Sequence, residues 1–408
     1  MHRFFPYSRY QLVVLLVCVG IFALGQFHRA SGSVFTPILM ERFALSAATV
    51  GGLVSSMFFA TIATQIPFGA VLDRSGPRKV LTWCILLIAF GTGLFALNHS
   101  FEISFLSRIL IGIGLASMGA ATHVIIARNF EAKDFGYISG LVVTLGGIGG
   151  LLGTYPLALV LARLPWLLVF GFAMLVSIVL AFAVFTSIRP GEVKEDQTTE
   201  ETAQGSYFAL LGDPEFLKIL ALGVVTFAPI VTITGLWGGP FLQDVLKFSA
   251  EDAGAVLLLL FASTIVAGYT FGLLDKRLRS RFWLVLTSAG ISSLSLFLLA
   301  ILDRPGAAFS ILLLMAMVFF QQFYIPLGAH MRKTVPDHML GRASTLLSLV
   351  SVAAIPLMQL GFGSILDFAG RLGFEPDAQY KIAFAAMGAL VLAGGLIYAT
   401  TKQANDVL

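Results

Sequence analysis

The chain has 408 residues, of which 57% are hydrophobic and only 12% charged, with a mean hydropathy of +0.90. Soluble domains carry about a quarter charged residues, so this composition excludes one and describes an integral membrane protein. The formal net charge of +4 is too small and dispersed to argue for a nucleic-acid partner, and none is expected; Cys18 and Cys84 both fall inside apolar runs, as buried small hydrophobes do.

Arg3 and Arg9 precede an apolar run from Gln11 to Gly25 that has the outline of a secretory signal. The run continues to Pro37, however, long enough to cross a hydrocarbon core of roughly 30 Å, and it is read as the first crossing. Five further spans are expected over 47–72, 79–98, 102–127, 135–162 and 164–188. Arg189 to Asp213 then carries Glu192, Lys194, Glu195, Asp196, Glu200 and Glu201 among Thr, Gln and Gly, the composition of a solvated linker. Six more spans follow at 215–242, 253–274, 282–302, 306–330, 343–366 and 378–400. The expected fold is all-α and membrane-embedded, with twelve transmembrane helices in two pseudo-symmetric six-helix bundles, 1–188 and 215–408, joined by a cytoplasmic linker at 189–214.

The halves repeat in detail. Pro37, Leu39, Ser46, Ala47 and Gly51 recur as Pro240, Leu242, Ser249, Ala250 and Gly254, each displaced by 203 residues. Between the second and third spans lies a basic reversal, Gly69 to Leu81, in which Asp73 and Arg74 close one apolar run and Gly76-Pro77, Arg78 and Lys79 open the next. The same shift takes Gly69 to Gly272, after which Leu-Asp-Lys-Arg, ending at Asp275, Lys276 and Arg277, is a degenerate copy of that loop.

Of the 26 Lys and Arg, Arg29 and Arg108 lie within spans and six (Arg42, Arg163, Lys247, Arg304, Arg371, Lys381) lie in odd-numbered loops. The other 18 lie at the termini and in even-numbered loops, which puts both termini and the Gly69–Leu81 loop in the cytoplasm. A charge near the bilayer centre costs on the order of 3 kcal/mol, so an intramembrane arginine faces a water-filled cavity or a partner. All 22 acidic residues lie in loops or at span ends. An arginine without an internal counter-ion suits an anionic substrate, because guanidinium grips carboxylate or phosphate bidentately. A pairing near the outer surface, through Glu41 or Glu102, is the structural alternative.

The spacing Gly-x-x-x-Asp-Arg-x-Gly-x-Arg/Lys at Gly69 to Arg78 resembles the signature loop between helices 2 and 3 of major facilitator superfamily transporters. Arg29 ahead of Pro37-Ile38-Leu39 is similar to the helix 1 pattern of that superfamily's organic anion and organophosphate branches, and Arg108 to Gly114 resembles its Arg-x-x-x-Gly-x-Gly motif on helix 4. The resemblance implies a secondary transporter in which Arg29, and with it Arg108, binds the substrate. Three departures narrow the substrate. Neutral Thr232 stands opposite Arg29 in the repeat, against phosphate esters; Leu115 replaces the carboxylate that often follows the helix 4 arginine in proton-coupled carriers; and helix 2 offers Thr61, Thr64 and Gln65 where nitrate porters carry arginine. Gly140, Gly149 and Gly153 match the glycine spacing of drug/proton antiporters, with Thr154 in place of proline; close helix packing is the expected role.

The second half supplies neutral groups: Thr232, Thr234 and Trp237, then Gln321, Gln322 and Tyr324, then Gln359. Of these Thr232, Trp237, Gln322 and Tyr324 are expected to contact the uncharged part of the substrate. His28 and His123 are the span residues expected to titrate near neutral pH and to carry a co-transported proton. Gly69, Asp73, Arg74, Gly76 and Arg78, with Asp275 and Arg277, are expected to form a pair of conformational latches. No metal-ligand, nucleophile or paired-carboxylate pattern lies within the spans, so neither an enzyme nor a cofactor is expected. The sequence reads as a monomeric, multi-pass transporter of a plasma membrane, a bacterial inner membrane, moving a small organic anion by alternating access, with a proton or another ion as possible co-substrate and membrane lipid as surroundings. The alternatives are a drug/proton antiporter and a transporter-like solute sensor.

Overall fold

The computed structural model describes residues 7–97, 99–131, 134–189, 210–277, 281–303, 306–336 and 339–401; the 190–209 part of the expected linker lies outside them, as do the side chains of Asp275 and Arg277. The described residues are predominantly helical and contain no strand. Helix α1 comprises Arg9–Ala30 and, after an interruption at Ser31, Gly32–Phe43. Ala47–Leu97 is a continuous helical path of 51 residues broken at Gly76, whose φ of 74° and ψ of 159° only glycine adopts without strain. It is therefore two crossings, α2 over 47–75 and α3 over 77–97, and the reversal falls where the sequence puts it. Next come α4 (Phe101–Asn129), α5 (Phe135–Leu161) and α6 (Trp166–Ser187). The second half holds α7 (Pro214–Asp244), α8 (Ala250–Arg277), α9 (Arg281–Ile301), α10 (Ala307–Thr334), α11 (Leu340–Arg371) and α12 (Pro376–Ala399). Eleven helical paths long and apolar enough to cross a membrane, one of them folded back at Gly76, make the twelve-helix architecture of a multi-pass membrane protein.

Helix starts follow local chemistry. Ser8 and Gln11 form a capping box at the start of α1, the Ser100 hydroxyl accepts from the Ile103 N–H, and the Asp213 carboxylate accepts from the Glu215 N–H ahead of α7. The repeat is visible in the backbone itself. Ser46 and Ser249, one repeat apart, cap α2 and α8 by accepting from the Thr49 and Asp252 N–H groups at 3.3 and 3.0 Å. The two non-glycine residues with positive φ among those described, Ala44 at 48° and Lys247 at 60°, are also one repeat apart. The 203-residue shift is thus a duplication of conformation as well as of sequence.

By packing, the chain forms two compact units. The first takes in the chain to Phe35 and α2 from Ser56 onward through α6; the second takes in the second half together with Thr36–Ser55. Within the first unit, α5 lies backbone-to-backbone on α1. A Cβ on Gly149 would collide with the Ala23 carbonyl, and one on Gly153 would sit 3.0 Å from the Phe27 oxygen. Gly149 and Gly153 therefore serve close helix packing, as expected, whereas Gly140 meets nothing within 4 Å. Gly112 meets the Met57 carbonyl of α2 and Gly114 the Cys84 carbonyl of α3, so the glycines of the helix 4 motif seat α4 against both neighbours. Cys18 and Cys84 are buried free thiols.

Candidate functional site

Two pairs of corresponding crossings, one member of each pair in each half, are interrupted at or near matching repeat positions. Helix α1 breaks at Ser31, and α7 carries a π-helical turn over Ile233–Trp237 that contains Thr234, the repeat mate of Ser31. Helix α4 breaks at Ala116–Ser117, and α10 tightens into a 3₁₀ turn over Gln321–Phe323, within a few residues of the repeat position. Paired interruptions in corresponding helices of a repeat free backbone atoms and bring polar groups to the middle of a crossing.

In the first unit, Arg29 sits two residues before the α1 interruption. It is half-buried and has no hydrogen bond, ion pair or ring contact among the described residues. Arg108 is 1% exposed. Its Nη2 donates to the His28 carbonyl at 3.4 Å, its Nε has no partner, and its guanidinium carbon lies 5.2 Å from the centre of the Phe35 ring and 5.9 Å from that of Phe95. Phe35, Phe95, Trp166 and Phe170 close around it as an aromatic cluster with ring centres 4.5 to 6.3 Å apart. No carboxylate pairs with either arginine among the described residues; Glu41 and Glu102 hold no ion pair to them. The structure thus brings Arg29, His28 and Arg108 together but leaves only Arg29 open.

His28 is buried, its Nε2 3.4 Å from the Thr92 hydroxyl, while His123 is exposed and near the Phe135 ring. These are not the only span histidines. His330 also lies in α10, buried, with its Nδ1 2.5 Å from the Tyr398 hydroxyl of α12. Its place at the very end of an expected span hid it from the sequence.

In the second unit the glutamines separate. Gln321 is fully buried, donating to the Val225 carbonyl and accepting from the Ser292 hydroxyl. Gln359 donates to the Val231 carbonyl at 3.3 Å and accepts from the Ser55 hydroxyl at 3.1 Å, and its own carbonyl accepts from the Trp237 indole at 3.0 Å. Both are glue between helices. Gln322, next along the 3₁₀ turn, is half-buried with no partner among the described residues, and half-buried Tyr324 stacks at 4.6 Å on Phe227. Trp237 is 1% exposed, and Thr232 is fully buried with an unpaired hydroxyl at the edge of the π turn. A cavity of about 590 Å³ opens elsewhere in this unit, between Asp244, Leu299, Ser310 and Tyr380, and includes none of these residues.

Of the expected latch residues, Asp73 and Arg74 are exposed and unpaired among the described residues, and Arg78 lies with its guanidinium 4.3 Å from the centre of the Phe185 ring. A carboxylate does cap a distant helix, but it is one the sequence does not flag. Asp367 of α11 accepts from the Ala47 and Ala48 N–H groups at the start of α2, one oxygen to each, at 2.9 Å.

The sequence model of the Major Facilitator Superfamily matches residues 15–359. The "Probable L-galactonate transporter" of Escherichia coli (strain K12) is 24% identical over 96% of this chain and 89% of its own length. "Multidrug resistance protein 1" of Bacillus subtilis (strain 168) is 26% identical over 58% of this chain and 59% of its own. The chain spans between about a third and three fifths of the length of several curated relatives it matches. Among solved structures, a bacterial homologue of the human lysosomal transporter Spinster, inward-facing and occupied, superposes with a TM-score of 0.80 at 18% identity over 97% of both chains, which is a likeness of fold.

Proposed function

The chain belongs to the major facilitator superfamily, and on that premise we propose that it is a secondary transporter, not an enzyme, that carries a small organic anion, a carboxylate, across a plasma membrane by alternating access. The observation that carries this reading is Arg29: a guanidinium inside a membrane helix, at an interruption, half-open and without a partner. Leaving such a charge unpaired is costly unless something else supplies the negative charge, and a carboxylate matches its planar fork. Thr232, Trp237, Gln322 and Tyr324 are assigned to the uncharged part of the substrate. The L-galactonate named for the Escherichia coli relative, a hydroxylated carboxylate, is the first candidate. The polar linker and the charge distribution support two six-helix halves, with both termini in the cytoplasm and the inner membrane of a bacterium as the location. The carrier works as a monomer, and His28 or His123 is the group that couples a proton. The Gly69–Arg78 loop, through Asp73, and its copy at Asp275 and Arg277 act as latches.

The Bacillus subtilis relative and the glycines of α5 support drug export as the second reading. Two features weigh against it: Gly149 and Gly153 of α5 are occupied by α1, and a lipophilic cation would be repelled by Arg29. Uptake into proteoliposomes decides. L-galactonate transport that Arg29→Gln reduces by at least about tenfold, the worth of one charge-assisted hydrogen bond, is the expected result. Transport at the parent rate in Arg29→Gln would overturn the anchor, export of tetraphenylphosphonium instead of anion uptake would favour the drug reading, and L-galactonate binding without counterflow would favour a sensor.

A further inference from the structure

Arg108 raises a problem that the anion reading does not solve. At 1% exposure, packed behind Phe35 and Phe95, its guanidinium is out of reach of a solute that arrives through water. It cannot swing outward at little cost either, because the glycines one and two turns on seat α4 against the Met57 and Cys84 carbonyls. The question is what a buried cation does there.

Its one hydrogen bond supplies the answer. The His28 carbonyl stands at the α1 interruption, where it accepts from the Ser31 hydroxyl at 3.4 Å and from Arg108 Nη2 at 3.4 Å. A backbone acceptor released from the helical ladder in a low-dielectric interior needs donors, and α4 supplies one. That carbonyl shares a rigid peptide plane with the N–H of Arg29. Whatever fixes the His28 oxygen therefore fixes the plane from which Arg29 departs.

We infer that Arg108 is a positioning residue: through the His28 carbonyl it holds the α1 interruption open and aims Arg29, without touching the substrate itself. This rests on Arg29 as the anion anchor. Arginine suits the task because its long stem crosses from α4, its faces lie on Phe35 and Phe95, and its fork reaches the carbonyl. What the task requires is an N–H donor at that place. The positive charge is secondary.

The distinction can be measured, because glutamine discards the charge and keeps an N–H donor, one that ends near the position of the arginine Nε and reaches the carbonyl through a bridging water. Calorimetric titration of the purified protein with L-galactonate is expected to give an affinity within about threefold of the parent for Arg108→Gln, and a loss of about tenfold or more for Arg108→Leu, since small misplacements of a binding group have large effects. Arg29→Gln serves as the charge-loss reference. If Arg108→Gln falls as far as Arg29→Gln, Arg108 acts by its charge and the inference is overturned; so it is if Arg108→Leu melts lower but binds like the parent. Should neither L-galactonate nor another carboxylate bind the parent, the anchor reading fails on its own, and phenylglyoxal modification of Arg29, followed by mass spectrometry, tests the positioning separately. The rate is expected to change by about threefold or more in Arg108→Leu and to stay at the parent value in Arg108→Gln. Equal rates in all three proteins would overturn it.

Discussion

The junction between the first and fifth helices of each half is built twice, with different chemistry. In the first half Ala23 of α1 meets Gly149 of α5 at backbone distance, with Gly146 against Phe22 and Gly153 against Phe27 and Ser31. In the second half the repeat mate of Ala23 is Thr226, and α7 opens its backbone there instead of pressing it against α11. The Ser351 hydroxyl of α11 donates to the Gly223 carbonyl at 2.8 Å and stands 3.2 Å from that of Thr226, while Gln321 of α10 takes the Val225 carbonyl. One junction relies on the absence of side chains, the other on side-chain hydrogen bonds to freed backbone carbonyls. Close approach leaves no room for a polar group, so the first half keeps its polar chemistry further along, at Arg29. The second half spends its polar side chains on holding itself together, and among the described residues few remain free: Gln322 and the hydroxyl of Thr232.

That contrast can be broken or sharpened by substitution. Gly149→Val forces a branched side chain into the Ala23 backbone and is expected to cost about 3 kcal/mol, read as a lowered melting temperature or loss of folded protein in detergent. Gly140→Ala on the same helix, where nothing lies within 4 Å, is expected to leave the melting temperature unchanged or slightly raised. If both behave alike, glycine packing is not what holds α1 to α5. In the second half Gln321→Leu strands the Val225 carbonyl and is expected to cost about 2 kcal/mol, whereas its neighbour Gln322→Leu leaves stability unchanged and weakens substrate binding. Equal melting temperatures for the two would end the division into glue and contact. The smallest expected loss of stability is that of Asp367→Asn, about 1 kcal/mol from the loss of a charged cap, smaller at high salt.

Much of the fold was legible because it rests on composition and local chemistry. Hydrophobic runs long enough to cross a bilayer, the glycine that alone tolerates the Gly76 turn, and serines placed to cap helices all speak through nearest neighbours. The site was legible only in part. Arg29 stood out because a charge in an apolar run is conspicuous, yet nothing local distinguishes it from Arg108; the difference is the wall of Phe35, Phe95, Trp166 and Phe170, which the chain assembles from three separate helices. Gln321 and Gln322 are adjacent and chemically identical, and the 3₁₀ turn points one into the core and leaves the other half-open. The π turn at Ile233–Trp237 is held by Gln359 from more than a hundred residues away. Asp367 was invisible for the same reason: it reads as one more carboxylate at a span end until its partners, 319 and 320 positions earlier, are known.

That separation has a consequence for how the protein is made. The first three N–H groups of α2 are satisfied by Ser46, which is already in place, and by Asp367, which is not. At typical ribosomal speeds the 320 residues between Ala47 and Asp367 take on the order of half a minute to synthesise. Through that interval the start of α2 must be kept at the membrane surface, where water can serve its open donors. The helix is inserted early and finished late, by a side chain from the penultimate crossing, so the beginning of the fold is sealed only when its end arrives.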